Sequence, residues 1–470
     1  MKIIALIHCV ILLSACSLIP DYLRPGMPVP KEWSVAPSYE AKASEPAGKP
    51  GTGEVAWKEF FTDVTLQDLI QKALDNNRDL RVAALNIELA RASYRVTEAD
   101  LLPKVDAGMS ATGQRTPRDL SQSIPKEART SHQYNASLSI TAFELDLFGR
   151  LRSLNQQALE NYLATAEARN ATQIALIAEI ANAYLSLLGD RKQFSLIEKT
   201  LATRQKSLDL IERRLESGMS NELDRAQART AVEAARANQA RYLRLVEQDI
   251  NTLQLLVGTS ITKAGLTREL DNVTLVQDLP VGLPSEVLLN RPDILQAEHA
   301  LKAAHANIGA ARAAFFPRIS LTALAGFSSP VLSGLFDSDS RTWSFVPSIS
   351  VPIFDAGRNQ ANLEASKANQ EIAVARYEKA IQGAFREVSD GLVARGALLS
   401  QVEAQSALVE AAETSLRLSD ARYRQGMDSY LAVLDAERSL YSAQQDLILL
   451  QVQRLSNLVT LYKVLGGGRT

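Results

Sequence analysis

The chain carries one sequence pattern twice, and this repeat constrains its fold more than any other feature. Three landmarks recur in the same order: Leu101–Val105 with Phe315–Ile319, Gly149–Arg150 with Gly357–Arg358, and Gly218–Met219 with Gly426–Met427. The last two landmarks are both offset by 208 residues, so the segment between them has the same length in each copy. An equal length indicates one structural unit repeated, and the fold must build it twice.

Each copy predicts the element order helix, strand, strand, very long helix, helix. Proline is absent between Pro125 and Pro280 and after Pro352, and both gaps show helical periodicity. The predicted helices cover residues 66–101, 150–215, 222–257, 285–314, 358–424 and 430–465, and the predicted strands cover 104–115, 132–145, 318–328 and 341–354. About 66 helical residues at about 1.5 Å each make a rod roughly 100 Å long, far longer than a globular domain is wide.

The strands predict a sheet with one apolar face. In the second strand, Tyr134, Ala136, Leu138, Ile140 and Ala142 alternate with Asn135, Ser137, Ser139 and Thr141. The strands of the second copy alternate in the same way. Their length of about ten residues suits a tilted transmembrane strand, although the same period also fits a half-buried sheet in a soluble sandwich.

Counting strands separates these two interpretations. Four strands leave open edges, which lipid does not tolerate, and spanning barrels need about eight or more. Closure therefore needs several copies of the chain, and three copies would supply twelve strands. The predicted fold class is an α+β membrane protein in which a trimeric twelve-stranded transmembrane β-barrel, four strands per chain, continues into a long α-helical barrel, with two structural repeats per chain.

The N-terminus predicts export and lipidation. Lys2 precedes an apolar run over residues 3–13, which has signal-peptide length and is too short to span a bilayer. Leu13–Cys16 is typical of a lipoprotein box, in which the cysteine thiol is acylated, although cleavage near Ala15 by an ordinary signal peptidase is the alternative. The predicted organisation is a signal peptide at 1–15, a lipidated tether at 16–64, a first repeat at 65–260, a linker at 261–284, and a second repeat with the C-terminal tail at 285–470.

Composition excludes several classes of function. Lys+Arg 51 against Asp+Glu 53 leaves no basic field for a nucleic acid. Both cysteines lie in the first sixteen residues, and His299 and His305 are six residues apart, which is not a same-face metal spacing on a helix. Neither a nucleophile triad nor a phosphate-binding glycine loop occurs. We therefore expect no enzyme, no metal site and no cofactor other than covalent lipid, N-acyl and S-diacylglycerol groups on Cys16.

Several long motifs of the chain resemble the outer membrane factors, the TolC-like and OprM/MtrE-like lipoproteins of tripartite RND-type multidrug efflux systems. The residues that carry the resemblance are Cys16–Tyr22, Glu144–Arg150, Arg291–Ile294, Asn307–Pro317, Leu434–Tyr441 and Leu461–Gly468. The resemblance implies a homotrimer in the outer membrane of a Gram-negative bacterium, with its α-helical barrel in the periplasm. It also implies two partner proteins, a periplasmic adaptor and an inner-membrane RND-type transporter.

The resemblance also implies a gate at the periplasmic tips. Asp435 and Arg438 match positions that line the constriction in the OprM-like branch, and Leu431 matches an apolar gate position. Tyr423 matches a tyrosine that tethers the closed helices in TolC, whereas Asp428 stands where TolC has a tethering arginine. Because helices break in both copies at Gly218–Met219 and Gly426–Met427, we expect positive φ at both glycines and adaptor docking at both tips.

The function expected first is a passive outer-membrane exit duct that conducts drugs and other small molecules. A protein-secretion (type I) channel would need the same barrel. A periplasmic scaffold lipoprotein that forms no pore is the alternative from another class. Asp435 and Arg438, three residues apart, also fit an ordinary surface ion pair on a helix.

Overall fold

The repeated helix–strand–strand–helix–helix order is present in the computed structural model, which describes residues 17–31, 33, 56–121, 124–262, 266, 268–273, 275 and 285–467. Within these residues the helices are α1 (Trp57–Phe60), α2 (Val64–Asn76), α3 (Arg78–Ala99), α4 (Arg150–Glu216), α5 (Glu222–Val257), α6 (Pro292–Ala313), α7 (Arg358–Arg424) and α8 (Tyr430–Val464). α4 and α7 both have 67 residues, so the equal length predicted from the repeat is confirmed.

The structure corrects two of the predicted helices. The helix expected over 66–101 is two helices, because Asn77 adopts an extended backbone and its side-chain Oδ1 accepts a 2.9 Å hydrogen bond from the Leu80 amide, capping α3. The helix expected over 285–314 is a 3₁₀ segment, Ser285–Asn290, followed by α6. α6 begins at Pro292 because proline lacks an amide hydrogen and suits the first position of a helix.

Four antiparallel strands form one sheet in the order β1-β2-β3-β4, with β1 at Val105–Thr116, β2 at Arg129–Leu145, β3 at Arg318–Ser329 and β4 at Arg341–Ser350. The fourth strand was expected to reach residue 354, and this prediction is wrong. β4 ends at Ser350, which pairs with Arg318, the first residue of β3, so the pairing between the two strands stops there.

Strand pairing places the apolar side chains on one face. Opposed pairs on this face include Ala107 with Leu138, Met109 with Ala136, Ala136 with Phe327, Ala325 with Trp343, and Ala323 with Phe345. Pairs on the other face include Ser110 with Asn135, Asn135 with Ser328, and Ser320 with Ser348. The alternation predicted for β2, β3 and β4 is therefore confirmed except at Ala142 in β2 and beyond the end of β4, and β1 shows it too. The sheet has one apolar and one hydroxyl- and amide-rich face.

The prediction that Ala142 belongs to the apolar face of β2 is wrong, because β2 has a β-bulge at this residue. Ile140 pairs with Ala323 but Phe143 pairs with Leu321, so β2 holds one extra residue at this point. Ala142 takes up the extra length with φ 51°, and its amide donates to the Thr322 hydroxyl at 3.2 Å. As a result Phe143, and not Ala142, continues the apolar face.

The described chain divides into two compact units, and each draws residues from both sequence repeats. The first unit comprises residues up to Gly26, Asn86–Thr165 and Gln296–Tyr377, and it contains the sheet. At the helix-bearing end of this sheet, the Glu144 carboxylate binds the guanidinium groups of Arg150 at 2.8 Å and Arg318 at 2.6 Å. This carboxylate therefore joins the end of β2 to the start of α4 and the start of β3.

The second unit comprises Met27–Leu85, Ala166–Leu295 and the chain from Glu378 onward. One part of its core is an aromatic stack in which the Phe60 and Tyr462 ring centroids lie 4.0 Å apart. Another part lies where α4, α5 and α8 pack together, around Leu208, Val232 and Leu434. α4 also contains an 18-residue window of mean hydropathy 1.4, but 61% of that window is buried, as in the core helix of a folded protein.

Candidate functional site

The two helical tips have the same backbone construction. Gly218 and Gly426 have φ of 72° and 76°, which confirms the predicted positive φ. At the first tip Gly218 donates to the Leu215 carbonyl at 2.9 Å and Met219 to the Arg214 carbonyl at 2.7 Å. The second tip repeats both bonds, from Gly426 to Tyr423 at 2.9 Å and from Met427 to Arg422 at 3.0 Å. Each is a Schellman motif, which caps the carbonyls of the long helix and leaves the methionine exposed.

The start of α8, just after the second tip, has one buried and one uncovered face. Tyr430, Val433 and Leu434 are buried against side chains of α4 and α5. Leu431 is 47% exposed although it is aliphatic, and Asp435 and Arg438 lie on the same uncovered face at positions one and two turns further along. The structure therefore brings three of the four predicted gate side chains onto one row that their own chain leaves open, while the fourth, Tyr423, lies on α7.

Within one chain, Asp435 and Arg438 form only a weak ion pair. The Arg438 Nη1 to Asp435 Oδ1 distance is 3.4 Å, and the side chains are 57% and 64% exposed. An exposed pair of this kind stabilises a helix by a few tenths of a kcal/mol at most. The two charges are thus available to groups outside the chain.

Tyr423 lies among aromatic and cationic neighbours next to this row. Its ring centroid is 5.5 Å from that of Tyr430, and the Arg214 guanidinium carbon lies 4.9 Å from its ring centre. Tyr423 therefore links the end of α7 to the first tip through Arg214, within the same chain.

Asp428, which stands where TolC has an arginine, has a partner that the sequence did not suggest. The Arg422 guanidinium binds its carboxylate through two hydrogen bonds, of 2.6 and 3.0 Å. These hydrogen bonds lower the pKa of Asp428 below its ordinary value. The pair spans the Gly426 turn, so this tip is held by a contact within one chain.

Sequence reasoning also missed a buried ion pair, Arg204 of α4 with Glu437 of α8. The side chains are only 8% and 11% exposed, and the Arg204 Nε to Glu437 Oε2 distance is 3.9 Å, beyond hydrogen-bonding range. Arg204 donates instead to the Ala231 carbonyl of α5 at 3.1 Å, and burial raises the pKa of the Glu437 carboxyl. No local pattern signals the pair, because 233 residues separate its members.

Cys16 and the predicted signal peptide lie outside the described residues, but the segment after Cys16 is packed on α6. The Leu18 carbonyl accepts from Arg312 at 3.2 Å and the Pro20 carbonyl from His305 Nε2 at 2.9 Å. Gly309 permits this approach, because a Cβ there would lie 2.6 Å from the Ile19 side chain. The segment from Leu18 to Pro20 therefore has a defined place on the first unit.

The histidines of α6 make hydrogen bonds. His299 Nδ1 lies 2.7 Å from the Glu160 carboxylate, and His305 bonds to the Pro20 carbonyl. Among the described residues no group of three or more His, Cys, Asp or Glu side chains is arranged to hold a metal ion. Both histidine side chains therefore join α6 to other segments of the chain.

The polar face of the sheet carries a network of neutral side chains. Asn135 donates to the Ser110 hydroxyl at 3.3 Å, Gln133 donates to the Ser328 hydroxyl at 3.2 Å, and the Ser320 and Ser348 hydroxyls lie 2.8 Å apart. Hydroxyl and amide groups bind water readily and carry no net charge. Between Asp106 at one end and Arg129 at the other, this face suits the wall of a wet passage with little charge selectivity.

Comparison with known proteins matches nearly the whole chain. The family described as "Outer membrane efflux protein" matches residues 69–259 and 283–467. The antibiotic efflux pump outer membrane protein ArpC of Pseudomonas putida is 51% identical over 458 residues, covering 97% of this chain and 93% of that protein. The toluene efflux pump outer membrane protein TtgC, also of Pseudomonas putida, has the same identity and coverage.

The fold also matches that of a solved structure. The open state of the Neisseria gonorrhoeae MtrE outer membrane channel superposes with a TM-score of 0.87 at 38% identity, covering 96% of this chain and 98% of that one. The match extends over the long helices as well as the four strands.

Proposed function

Because the chain belongs to the outer membrane efflux protein family, we propose that the uncovered row Leu431–Asp435–Arg438 forms the gate of an efflux duct. The chain is the outer-membrane component of a tripartite pump in a Gram-negative bacterium, and works with an adaptor and an inner-membrane transporter. Three copies form the channel, each contributing four strands and its long helices. The members of the family are transport components. We propose that this chain likewise has no catalytic activity.

The observation that carries the gate proposal is the exposure of one face of α8 at the tip. Leu431 is 47% exposed, while Tyr430, Val433 and Leu434 beside it are buried. A threefold assembly places three copies of such a row around one axis, where an apolar ring and a charged ring can together exclude water and ions. Single-channel conductance of the reconstituted trimer tests whether the protein forms a conducting duct, because a scaffold lipoprotein gives no current.

The conducted compounds are proposed to be small organic molecules. ArpC and TtgC are named for the efflux of antibiotics and toluene, and the Ser, Asn and Gln network on the polar sheet face is neutral and favours no one chemical group. Selection of substrates then belongs to the transporter that loads the duct. The efflux relatives favour this function over protein secretion.

Adaptor docking is proposed at the two tips. Gly218–Met219 and Gly426–Met427 share one backbone shape, and Met219 and Met427 are 66% and 61% exposed. Exposed thioether side chains at the ends of rigid helices suit contact with a helical partner, since methionine adapts its shape to the surface it meets. The repeat makes the two tips similar enough for one partner fold to engage both.

Cys16 is expected to carry lipid and to aid anchoring without being needed for the fold, because the barrel supplies its own membrane attachment. Mass spectrometry of the mature N-terminus should show a chain that starts at Cys16 with added acyl mass. A Cys16→Ala variant exported with a cleavable signal peptide should still assemble as trimers. A mature chain that begins at another residue without acyl mass would contradict the prediction.

The loops between β1 and β2 and between β3 and β4 are expected to face the cell exterior, while the tips lie in the periplasm. Cysteines at Leu120, which is 74% exposed, and at Ser338 should react with a membrane-impermeant thiol reagent on intact cells. The matched control is Met219→Cys at a tip, 66% exposed, which should react only after the outer membrane is broken. The reverse labelling pattern would invert the proposed topology.

A further inference from the structure

The apolar face of the sheet ends in basic side chains at its loop-bearing end. Beyond the pair of Ala111 with Tyr134, strand pairing places His132 and then Arg115 on the same face. On β4, Arg341 pairs with Phe327 and lies one step beyond Trp343 on that face. The lipid-facing surface of the barrel therefore passes from aliphatic to aromatic to cationic side chains toward the loops.

Among the residues that the structure describes, no other side chain of the chain pairs with the guanidinium of Arg115 or Arg341. Arg115 and Arg341 are exposed, and among the residues that the structure describes neither makes an ion pair or a side-chain hydrogen bond. At the opposite end of the sheet, by contrast, Arg150 and Arg318 are both bound by Glu144 at 2.8 and 2.6 Å. Among the described residues of one chain, arginine is therefore neutralised at one end of the sheet and has no intrachain counter-charge at the other.

A free cation on a lipid-facing surface is stable only near the interface, and there it attracts anionic headgroups. An arginine on the outside of a barrel costs about 2–4 kcal/mol at the bilayer midplane and about 0–1 kcal/mol near the interface. A guanidinium binds phosphate through two parallel charge-assisted hydrogen bonds, whereas a neutral headgroup offers no such pair. The aromatic side chains Tyr134 and Trp343, at the adjoining level of the face, suit the headgroup boundary.

We propose that Arg115 and Arg341, assisted by His132, bind the phosphate groups of a phosphorylated glycolipid in the outer leaflet. The assignment rests on the proposed topology, in which the loop-bearing end of the sheet is the outer end. The phosphates bind the guanidinium groups from outside the barrel, while the acyl chains lie along the apolar face below Trp343. The lipid holds the barrel at a fixed depth and takes no part in conduction.

The test is binding of lipid to the purified full-length trimer in neutral detergent. Radiolabelled bis-phosphorylated lipid A is titrated and the lipid that elutes with the trimer is measured, which needs no assumption about topology in cells. The double variant Arg115→Gln/Arg341→Gln is expected to bind lipid A at least about tenfold more weakly than the parent, since it loses two charge-assisted interactions. The matched control Arg129→Gln lies at the same end of β2 but on the opposite face, one residue from Thr130, which pairs with Arg115.

The control variant Arg129→Gln should change the affinity for lipid A less than about twofold. Dephosphorylated lipid A should bind the parent trimer weakly, to the same extent as lipid A binds the double variant. Equal binding by parent and double variant overturns the proposal, as does an equal loss in Arg129→Gln. Displacement of lipid A by inorganic phosphate at equal concentration would show a simple anion site and also overturn it. The single variants, each expected to lose part of the binding, keep the test decisive if the double variant does not form trimers.

Discussion

Replacing Arg438 with alanine is expected to raise the mean conductance of the reconstituted trimer and to make cells sensitive to vancomycin, which is too bulky to pass a closed duct. Three Asp435 carboxylates around one axis repel each other, and Arg438, 3.4 Å from Asp435, offsets part of that repulsion. Loss of about 1 kcal/mol from the closed state multiplies the open-to-closed ratio about fivefold. Leu431→Ala should have the same direction of effect, because it removes the apolar ring that excludes water.

The matched control is Arg225→Ala. Arg225 forms an i, i+3 ion pair with Glu222 at 2.8 Å at the start of α5, the helix that follows the other tip. This variant loses a comparable surface pair outside the proposed constriction, so conductance should stay at the parental level. Asp435→Ala should weaken any block of current by divalent cations, which need the carboxylate ring. If Leu431→Ala, Asp435→Ala and Arg438→Ala all conduct like the parent while inserting as trimers, the constriction lies elsewhere, and Asp435 and Arg438 form an ordinary surface pair.

The second large effect is expected from Arg204→Met, which should lower the thermal midpoint of the helical region more than any single gate substitution. The change leaves the Glu437 carboxylate, 11% exposed, without a counter-charge in a site closed by α4, α5 and α8. Breaking one side of a buried ion pair costs about 3–5 kcal/mol, because the remaining charge stays desolvated. The double variant Arg204→Met/Glu437→Leu should recover most of the loss, since no charge is then buried. Circular dichroism during heating measures all three proteins.

The pH dependence provides an independent check on Arg204→Met. Burial raises the pKa of Glu437, and the charge of Arg204 partly opposes this rise. Removal of Arg204 therefore raises the pKa of Glu437 further. A raised folded-state pKa destabilises the fold as pH rises through it, and the penalty disappears near the unfolded value of about 4.3. The deficit should therefore be large at neutral pH and small in acid. Arg236→Met, which breaks an exposed pair with Glu233, should change little at any pH, and an equal deficit there would contradict the burial argument.

The long helices and the sheet could be predicted from the sequence because both depend on local patterns. The absence of proline and the matched spacing of Gly149–Arg150 and Gly218 placed α4 within one residue of its observed end, and the same spacing did so for α7. Alternation with a period of two identified the apolar face of the sheet. The positive φ of Gly218 and Gly426 followed from glycine in the same place of both repeats.

The gate row was only partly predictable. Resemblance pointed to Leu431, Asp435 and Arg438, but burial of the neighbouring Tyr430 and Leu434 is what shows that the row faces away from its own chain. The Arg422 contact with Asp428 depends on the Gly426 turn, which brings together two side chains six residues apart. A helical wheel does not place them as neighbours, because the helix ends between them.

Sequence by itself therefore determined which segments are helices and strands, which face of the sheet is apolar, and where the chain turns, since each depends on residues close together in the chain. Tertiary structure alone decided where the pattern fails and which distant charges meet. The Ala142 bulge arises from pairing with β3, the break at Asn77 from a side-chain cap, and the burial of Arg204 with Glu437 from the packing of three helices. Their energies depend on neighbours far away in the sequence, which a local pattern does not record.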